Sequence, residues 1–140
     1  MYLSKLIKMI LDHVAIWTDK LEILKDYYMN YFGGIPNKKY TNEKKQFNSY
    51  FLTFKSGTRL EIMTIPDIKD NTSDLSTAIY KGITHLAFSV DTKEEVDKKA
   101  KQLLGDGYKI INGPRITGDG YYEFETLDPD FNRLEVATKI

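Results

Sequence analysis

The stretch SGTRLEIMTIP, residues 56–66, decides the fold because the chain repeats its pattern near the end as FNRLEVATK, residues 131–139. In each copy a strand-like apolar pattern contains one carboxylate directly after the letters RL, at Glu61 and at Glu135. Burying a carboxylate is costly unless a partner compensates its charge. The recurrence therefore indicates a duplicated structural unit that has a reason to keep a carboxylate in each copy.

The duplication extends to two strand-like segments that hold both histidines of the chain. DHVAIWT (12–18) and THLAFSV (84–90) align with histidine as the second letter, at His13 and His85. Each segment precedes a helical pattern and three further strand-like segments. We predict one α+β domain over residues 1–140, with a first βαβββ module at 10–65, a connector at 66–82 and a second module at 83–138.

Capping signals set the expected helix ends. We expect the first helix at about 19–32, with Asp19 and Glu22 forming a capping box and Gly33-Gly34 ending the helix. Thr92 and Glu95 predict a second capping box at the start of the other helix.

Composition excludes several classes of protein. The chain has 140 residues, 41% of them hydrophobic, with 20 basic and 20 acidic residues and a net charge of zero. Such a balance favours a globular domain and predicts no nucleic-acid partner. No apolar run approaches the ~18 residues of a membrane span, and the opening MYLSKLIKMIL lacks the features of a signal peptide. With no cysteine, we expect a cytoplasmic protein without a membrane partner.

The matched histidines and glutamates predict a metal site. Strand alternation puts Glu61 on one face with Arg59, and Glu135 on one face with Arg133. If the first and last strands of each half are neighbours, one imidazole and one carboxylate meet on each sheet. This donor set suits Zn, Ni, Co, Fe or Mn and leaves two octahedral positions open. The alternative is that the histidines are hydrogen-bonded core residues and each glutamate pairs with its neighbouring arginine; the duplication favours the metal.

Taken together, DHVAIWT, HLAFSV, GDGYYEFETLDPD and NRLEV resemble the vicinal oxygen chelate superfamily, from about Ile10 to Ala137. Its members include glyoxalase I, methylmalonyl-CoA epimerase, extradiol dioxygenases, fosfomycin-resistance enzymes and bleomycin-binding proteins. The resemblance implies two modules forming a half-barrel cleft, often as a homodimer with sites shared between chains. It also implies one divalent ion per site, with Ni, Zn or Co favoured over Fe or Mn. The implied ligands are His13, Glu61, His85 and Glu135.

A full His/Glu/His/Glu set looks most like glyoxalase I within that superfamily. This resemblance implies a lactoylglutathione lyase type of reaction, in which a metal-stabilised enediolate forms from the thiol adduct of a 2-oxoaldehyde. Glu135 is the implied base and Glu61 the second candidate. The alternatives are other chemistry of the superfamily, such as epimerisation or dioxygenation, and a small-molecule or antibiotic-binding protein without turnover.

Three further residues are candidates for binding the substrate. Arg115, in the loop GPRITGDGYYE (113–123), could hold an anionic group; a solvent-exposed loop with a paired arginine is equally consistent. Tyr121, Tyr122 or Glu123 could line the pocket, depending on the phase of the strand, and Tyr122 is the residue we choose. Trp17 could stack on the substrate or belong to the core. It stands where proteins resembling bacterial glyoxalase I often carry an arginine that meets glutathione. In the turn DPDFN, Phe131 replaces the glycine usual in the family, so we expect Asn132 to take the left-handed conformation.

Overall fold

The computed structural model describes residues 9–71 and 79–140 as nine strands and two helices. The predicted connector, 66–82, includes residues outside these ranges, so the module boundaries stay predictions. The first half contains β1 (His13–Trp17), α1 (Leu21–Phe32), β2 (Ile35–Pro36), β3 (Tyr40–Asn42), β4 (Phe47–Thr53) and β5 (Arg59–Thr64). The second half contains β6 (Leu86–Ser89), α2 (Lys93–Gly105), β7 (Ile110–Ile116), β8 (Tyr121–Leu127) and β9 (Arg133–Lys139).

Each half forms its own sheet, and the first and last strands of each half are neighbours. The orders are β1-β5-β4-β2, with the short β3 also paired to β4, and β6-β9-β8-β7. In both sheets the first strand pairs with the last in parallel, while the other pairings are antiparallel. The predicted α+β fold of two βαβββ modules is confirmed, with one additional short strand in the first half. No helix in the described ranges is long and apolar enough to cross a membrane.

One hydrophobic core joins the two halves. Alternate residues of β5 and β9, such as Ile62 and Val136, are fully buried in this core together with residues of both helices. Phe88 of β6 packs against Phe32 of α1 with ring centroids 4.3 Å apart. The opposite face of each sheet is therefore the one that carries the RLE glutamates.

The turn DPDFN fastens the second half to the first. Tyr28 of α1 donates a hydrogen bond of 2.7 Å to the buried carboxylate of Asp128, and the Thr18 hydroxyl donates one of 2.5 Å to Asp130. Phe131 itself adopts the left-handed conformation, at φ 64°. The expectation that Asn132 would do so is wrong, because the Asn132 backbone and side-chain nitrogens both donate to Asp128 and fix its place in the turn.

The predicted N-terminal capping box is found at α2 and is absent at α1. At α2 the capping box of Thr92 and Glu95 is confirmed, and Gly33 ends α1 in the left-handed conformation. The predicted box at α1 is wrong: Lys20 is the N-cap and makes no side-chain cap. Glu22 instead accepts hydrogen bonds from Lys39 and Tyr50.

Candidate metal centre

The first His–Glu pair lies on the face of the first sheet that is turned away from the core. Because β1 and β5 are parallel neighbours, His13 Nε2 comes within 3.6 Å of Glu61 Oε1. The other ring nitrogen, Nδ1, lies 2.7 Å from the carboxylate of Asp12. When Nδ1 carries the proton that Asp12 accepts, Nε2 keeps its lone pair and faces Glu61 as a potential metal ligand.

Arg59 lies beside this pair without engaging Glu61. Its Nη2 donates to Asp12 at 2.5 Å, and its guanidinium lies 4.5 Å from the ring centroid of Phe51. The hydrogen bonds from His13 and Arg59 lower the pKa of Asp12. The alternative in which Glu61 is the ion-pair partner of Arg59 is thus not the arrangement found.

The second His–Glu pair is tighter. His85 directly precedes β6, and its Nε2 lies 2.8 Å from Glu135 Oε1 on the neighbouring β9. The side chain of Glu135 is only 15% exposed, whereas that of His85 is 36% exposed. A carboxylate oxygen thus lies next to the nitrogen of a partly exposed imidazole, and both are donor types that divalent cations accept.

Glu125 of β8 extends the second pair to three donors. It stands directly opposite Glu135 in the antiparallel ladder. Ligand atoms of His85, Glu125 and Glu135 all lie within 4.8 Å of one another. The sequence analysis missed Glu125, although the letters EFE at 123–125 carry the signal: Phe124 points into the core, so both flanking glutamates share the other face.

Glu123 is the most buried acidic group on this face, at 8% exposure. Burial and a hydrogen bond to Glu135 raise the pKa of Glu123 to about 7. Arg115 of β7 stands opposite Glu123 in the ladder, and its charge acts in the opposing direction. The second sheet therefore brings Glu125 and Glu135 together with His85, and Glu123 lies beside Glu135.

The two His–Glu pairs do not converge within one chain. Within residues 9–71 and 79–140, one group of three side chains could hold a metal ion. It consists of His85, Glu125 and Glu135, and it contains neither His13 nor Glu61. The physical reason is the shared core, because both sheets use their inner faces to build it and carry the pairs on their other faces. Ligation by His13, Glu61, His85 and Glu135 stays a prediction.

The predicted substrate residues fall in different places. Trp17 lies on the His13 face of β1, is 50% exposed and contacts Phe47 edge-on. Tyr122 belongs to the opposite face of β8, where its ring packs on the core and its hydroxyl donates to Asp97 of α2 at 2.5 Å. The choice of Tyr122 is therefore corrected: the strand phase places Tyr121 and Glu123 on the ligand face.

An open groove of about 850 Å³ adjoins the first sheet at Trp17. Its lining includes Thr18, Leu127 and Phe131 but none of the four predicted ligands. Because none of the donor groups lines the groove, the donors, and not the groove, define the candidate centre.

A family model supplies the decisive comparison. The model of the Glyoxalase/Bleomycin resistance protein/Dioxygenase superfamily matches residues 10–136. The chain belongs to this superfamily. The match covers both His–Glu pairs and all strands of both sheets except the last three residues of β9.

Individual proteins are similar to this chain in sequence or in fold. The uncharacterized protein YqjT of Bacillus subtilis is 34% identical over 59 residues, which span 40% of this chain and 46% of that protein. A glyoxalase family protein from Enterococcus faecalis has a TM-score of 0.73 at 26% identity, covering 94% of this chain and 98% of that one. Glyoxalase I from Zea mays has a TM-score of 0.72 at 22% identity, covering 89% of this chain and 43% of that one, and this likeness concerns the fold.

Proposed function

We propose that the protein is a metal-dependent lyase of the glyoxalase I type, acting in the cytoplasm on the thiol adduct of a 2-oxoaldehyde. The observation that carries this proposal is the duplication of the His–Glu pair. In both sheets an imidazole on or beside the first strand meets a carboxylate of the last strand, at 3.6 Å and 2.8 Å. A carboxylate in both halves matches the full ligand set that the resemblance to glyoxalase I implies.

The residues fit a divalent ion of the Ni, Zn or Co kind. Imidazole nitrogen and carboxylate oxygen are the donors these ions accept. Asp12 supplies the carboxylate that commonly orients a metal-binding histidine through its other nitrogen. The two carboxylates of Glu125 and Glu135 beside His85 would also be stabilised by a nearby positive charge. Bound there by these residues, such a cation would supply Lewis-acid chemistry, polarising substrate oxygens and offsetting negative charge that develops on them.

The chain itself supplies the proton transfer and the orientation of the substrate. Glu135 takes the role of the base that moves a proton between adjacent carbons, with Glu61 as the second candidate. Trp17 offers an exposed ring on the Glu61 sheet for stacking. Arg115, opposite Glu123, offers a guanidinium to an anionic part of the substrate.

A homodimer would bring the pairs together. Since one chain keeps its pairs on separate faces, a second copy is needed to set His13 and Glu61 against His85 and Glu135. The segments leading into β1 and β6 expose apolar side chains suited to such an interface: Met9, Ile10 and Leu11 are 77–88% exposed, and Ile83 is 84% exposed. We propose two shared sites per dimer.

Turnover with a panel of thiols tests this function. The purified protein, loaded separately with Ni²⁺, Zn²⁺ and Co²⁺, is mixed with methylglyoxal and glutathione or another low-molecular-weight thiol, and thioester formation is followed. We expect activity with at least one thiol, its loss in Glu135→Gln and its retention in Glu94→Gln, a control on the exposed first turn of α2. Metal binding without turnover of any thiol adduct would overturn the glyoxalase assignment and leave the metal centre in place.

A further inference from the structure

The second module contains a third donor that has no counterpart in the first. Glu125 faces Glu135 across β8 and β9, whereas Phe51 faces Glu61 across β4 and β5. The two modules are otherwise matched in strand order and in the placing of their His–Glu pairs. The modules are therefore unequal as metal sites: the first offers two donors and the second offers three.

The three donors of the second module are assembled within a single sheet. His85, Glu125 and Glu135 present ligand atoms within 4.8 Å of one another, and both carboxylate side chains are about 15% exposed, at 14% and 15%. Nothing from the first module or from a second chain is needed to form this group. Three protein donors are the number that open metal sites commonly use, with the other positions left to water or substrate.

The electrostatics of the ladder favour a cation at this place. Like charges directly opposite each other on neighbouring strands are destabilising, and the pair of Glu125 and Glu135 is such a case. Glu123, two residues before Glu125 on the same face of β8, adds a third carboxyl group. Arg133 forms an ion pair with Glu125. The distance from Arg133 Nη1 to Glu125 Oε2 is 3.5 Å, which is long for a hydrogen bond.

We propose that Glu125 is a metal ligand, and that His85, Glu125 and Glu135 bind a divalent cation without help from the first module. The ion is thereby held by one chain before His13 and Glu61 of a second copy complete the site. Two carboxylates and one imidazole suit Mn²⁺, Co²⁺ and Zn²⁺. This inference rests on the metal centre of the proposed function, but it concerns which residues bind the ion and in which order.

Calorimetric titration with Co²⁺ and Mn²⁺ separates this inference from the proposed function. The variants are His13→Ala/Glu61→Gln, Glu125→Gln, and the combination of all three substitutions. We expect wild type to bind one ion per chain, and His13→Ala/Glu61→Gln to bind one ion with lower affinity. Adding Glu125→Gln to that background should weaken binding by about 100-fold or more, beyond the 10–100-fold typical of an outer-shell partner.

A double-mutant cycle tests whether Glu125 acts only as the counterion of Arg133. Glu125→Gln is compared in the wild-type and Arg133→Met backgrounds, with circular dichroism and the visible spectrum of bound Co²⁺ as readouts of fold and coordination. A metal ligand weakens binding and alters the spectrum in both backgrounds. Loss of the effect in Arg133→Met would overturn the inference. So would a His13→Ala/Glu61→Gln protein that binds no ion while wild type does, a result that leaves the proposed function intact.

Discussion

The carboxylate of Asp12 lies 2.7 Å from Nδ1 of His13 and is itself held by Arg59. The second module has no such arrangement, since Thr84 stands before His85 in the place of Asp12. The first module thus has two donors, His13 and Glu61, and Asp12 fixes the orientation of His13. The second module has three donors, and the one histidine among them, His85, lies 2.8 Å from Glu135.

Asp12→Asn is expected to weaken binding of Ni²⁺ or Zn²⁺ by about 10–100-fold, because the ring of His13 loses the carboxylate that fixes its tautomer. Titration calorimetry measures the change. Asp19→Asn, on an exposed neighbouring residue, is the matched control and should bind as wild type does. Equal affinities for Asp12→Asn and wild type would show that Asp12 does not support a ligand.

Phe131→Gly is expected to be more stable than Phe131→Ala by about 1 kcal/mol, the order of the penalty for a Cβ in the left-handed conformation. Both variants remove the same exposed ring, so the comparison isolates the backbone at φ 64°. The difference corresponds to about 3 °C in Tm for a chain of this size. Identical melting temperatures would indicate that the turn relaxes when the ring is absent.

Tyr28→Phe is expected to cost about 1–2 kcal/mol at pH 7, because the buried carboxylate of Asp128 loses a donor from α1. Burial raises the pKa of Asp128, and the bond from Tyr28 opposes that rise. Removing the bond raises the folded-state pKa further, so the folded chain binds a proton more readily than the unfolded chain. The cost should therefore grow as pH rises through the folded-state pKa of Asp128, which lies above the unfolded value of about 3.9, towards 7. Denaturant unfolding at several pH values measures it, and a cost that shrinks with rising pH would contradict this account.

Mixing two inactive variants tests the shared sites. One variant is His13→Ala and the other is His85→Ala. In a dimer that contains one chain of each, one shared site carries both substitutions and the other carries none. Random pairing of equal amounts should restore about a quarter of wild-type activity, because half of the dimers are mixed and each has one intact site. Each variant alone is the control. No recovery, in dimers shown by mass spectrometry to be mixed, would place each complete site within one chain.

The sequence was informative about the fold because the duplication of the chain and the apolar alternation of its strands are both clear. The repeated RLE strands and the paired histidines point to a shared site if the first and last strands of each half are neighbours, and β1–β5 and β6–β9 are such neighbours, in parallel. The short β2 could not be predicted, because two residues, one of them a proline, carry no apolar alternation. The cap of α1 failed because Lys39 and Tyr50, distant in sequence, engage Glu22.

Less of the candidate site was accessible from the sequence. The phase of β8 decides whether Tyr122 or Glu125 meets the ligands, and that phase follows from Phe124 being buried in the core. The bond between Asp12 and His13 joins adjacent residues, which strand alternation would send to opposite faces; Asp12 reaches the ring because it precedes the strand. That the two pairs stay apart depends on the packing of whole sheets, which no local pattern encodes.

Metal content after dialysis tests the central claim most directly. Wild type, His85→Ala/Glu135→Gln and the control Glu94→Gln are equilibrated with Ni²⁺ or Zn²⁺, dialysed, and analysed by inductively coupled plasma mass spectrometry together with protein concentration. The account predicts one ion per chain in wild type and Glu94→Gln, and a loss of the ion in His85→Ala/Glu135→Gln. Wild-type protein without bound metal, or equal metal in all three proteins, would contradict it.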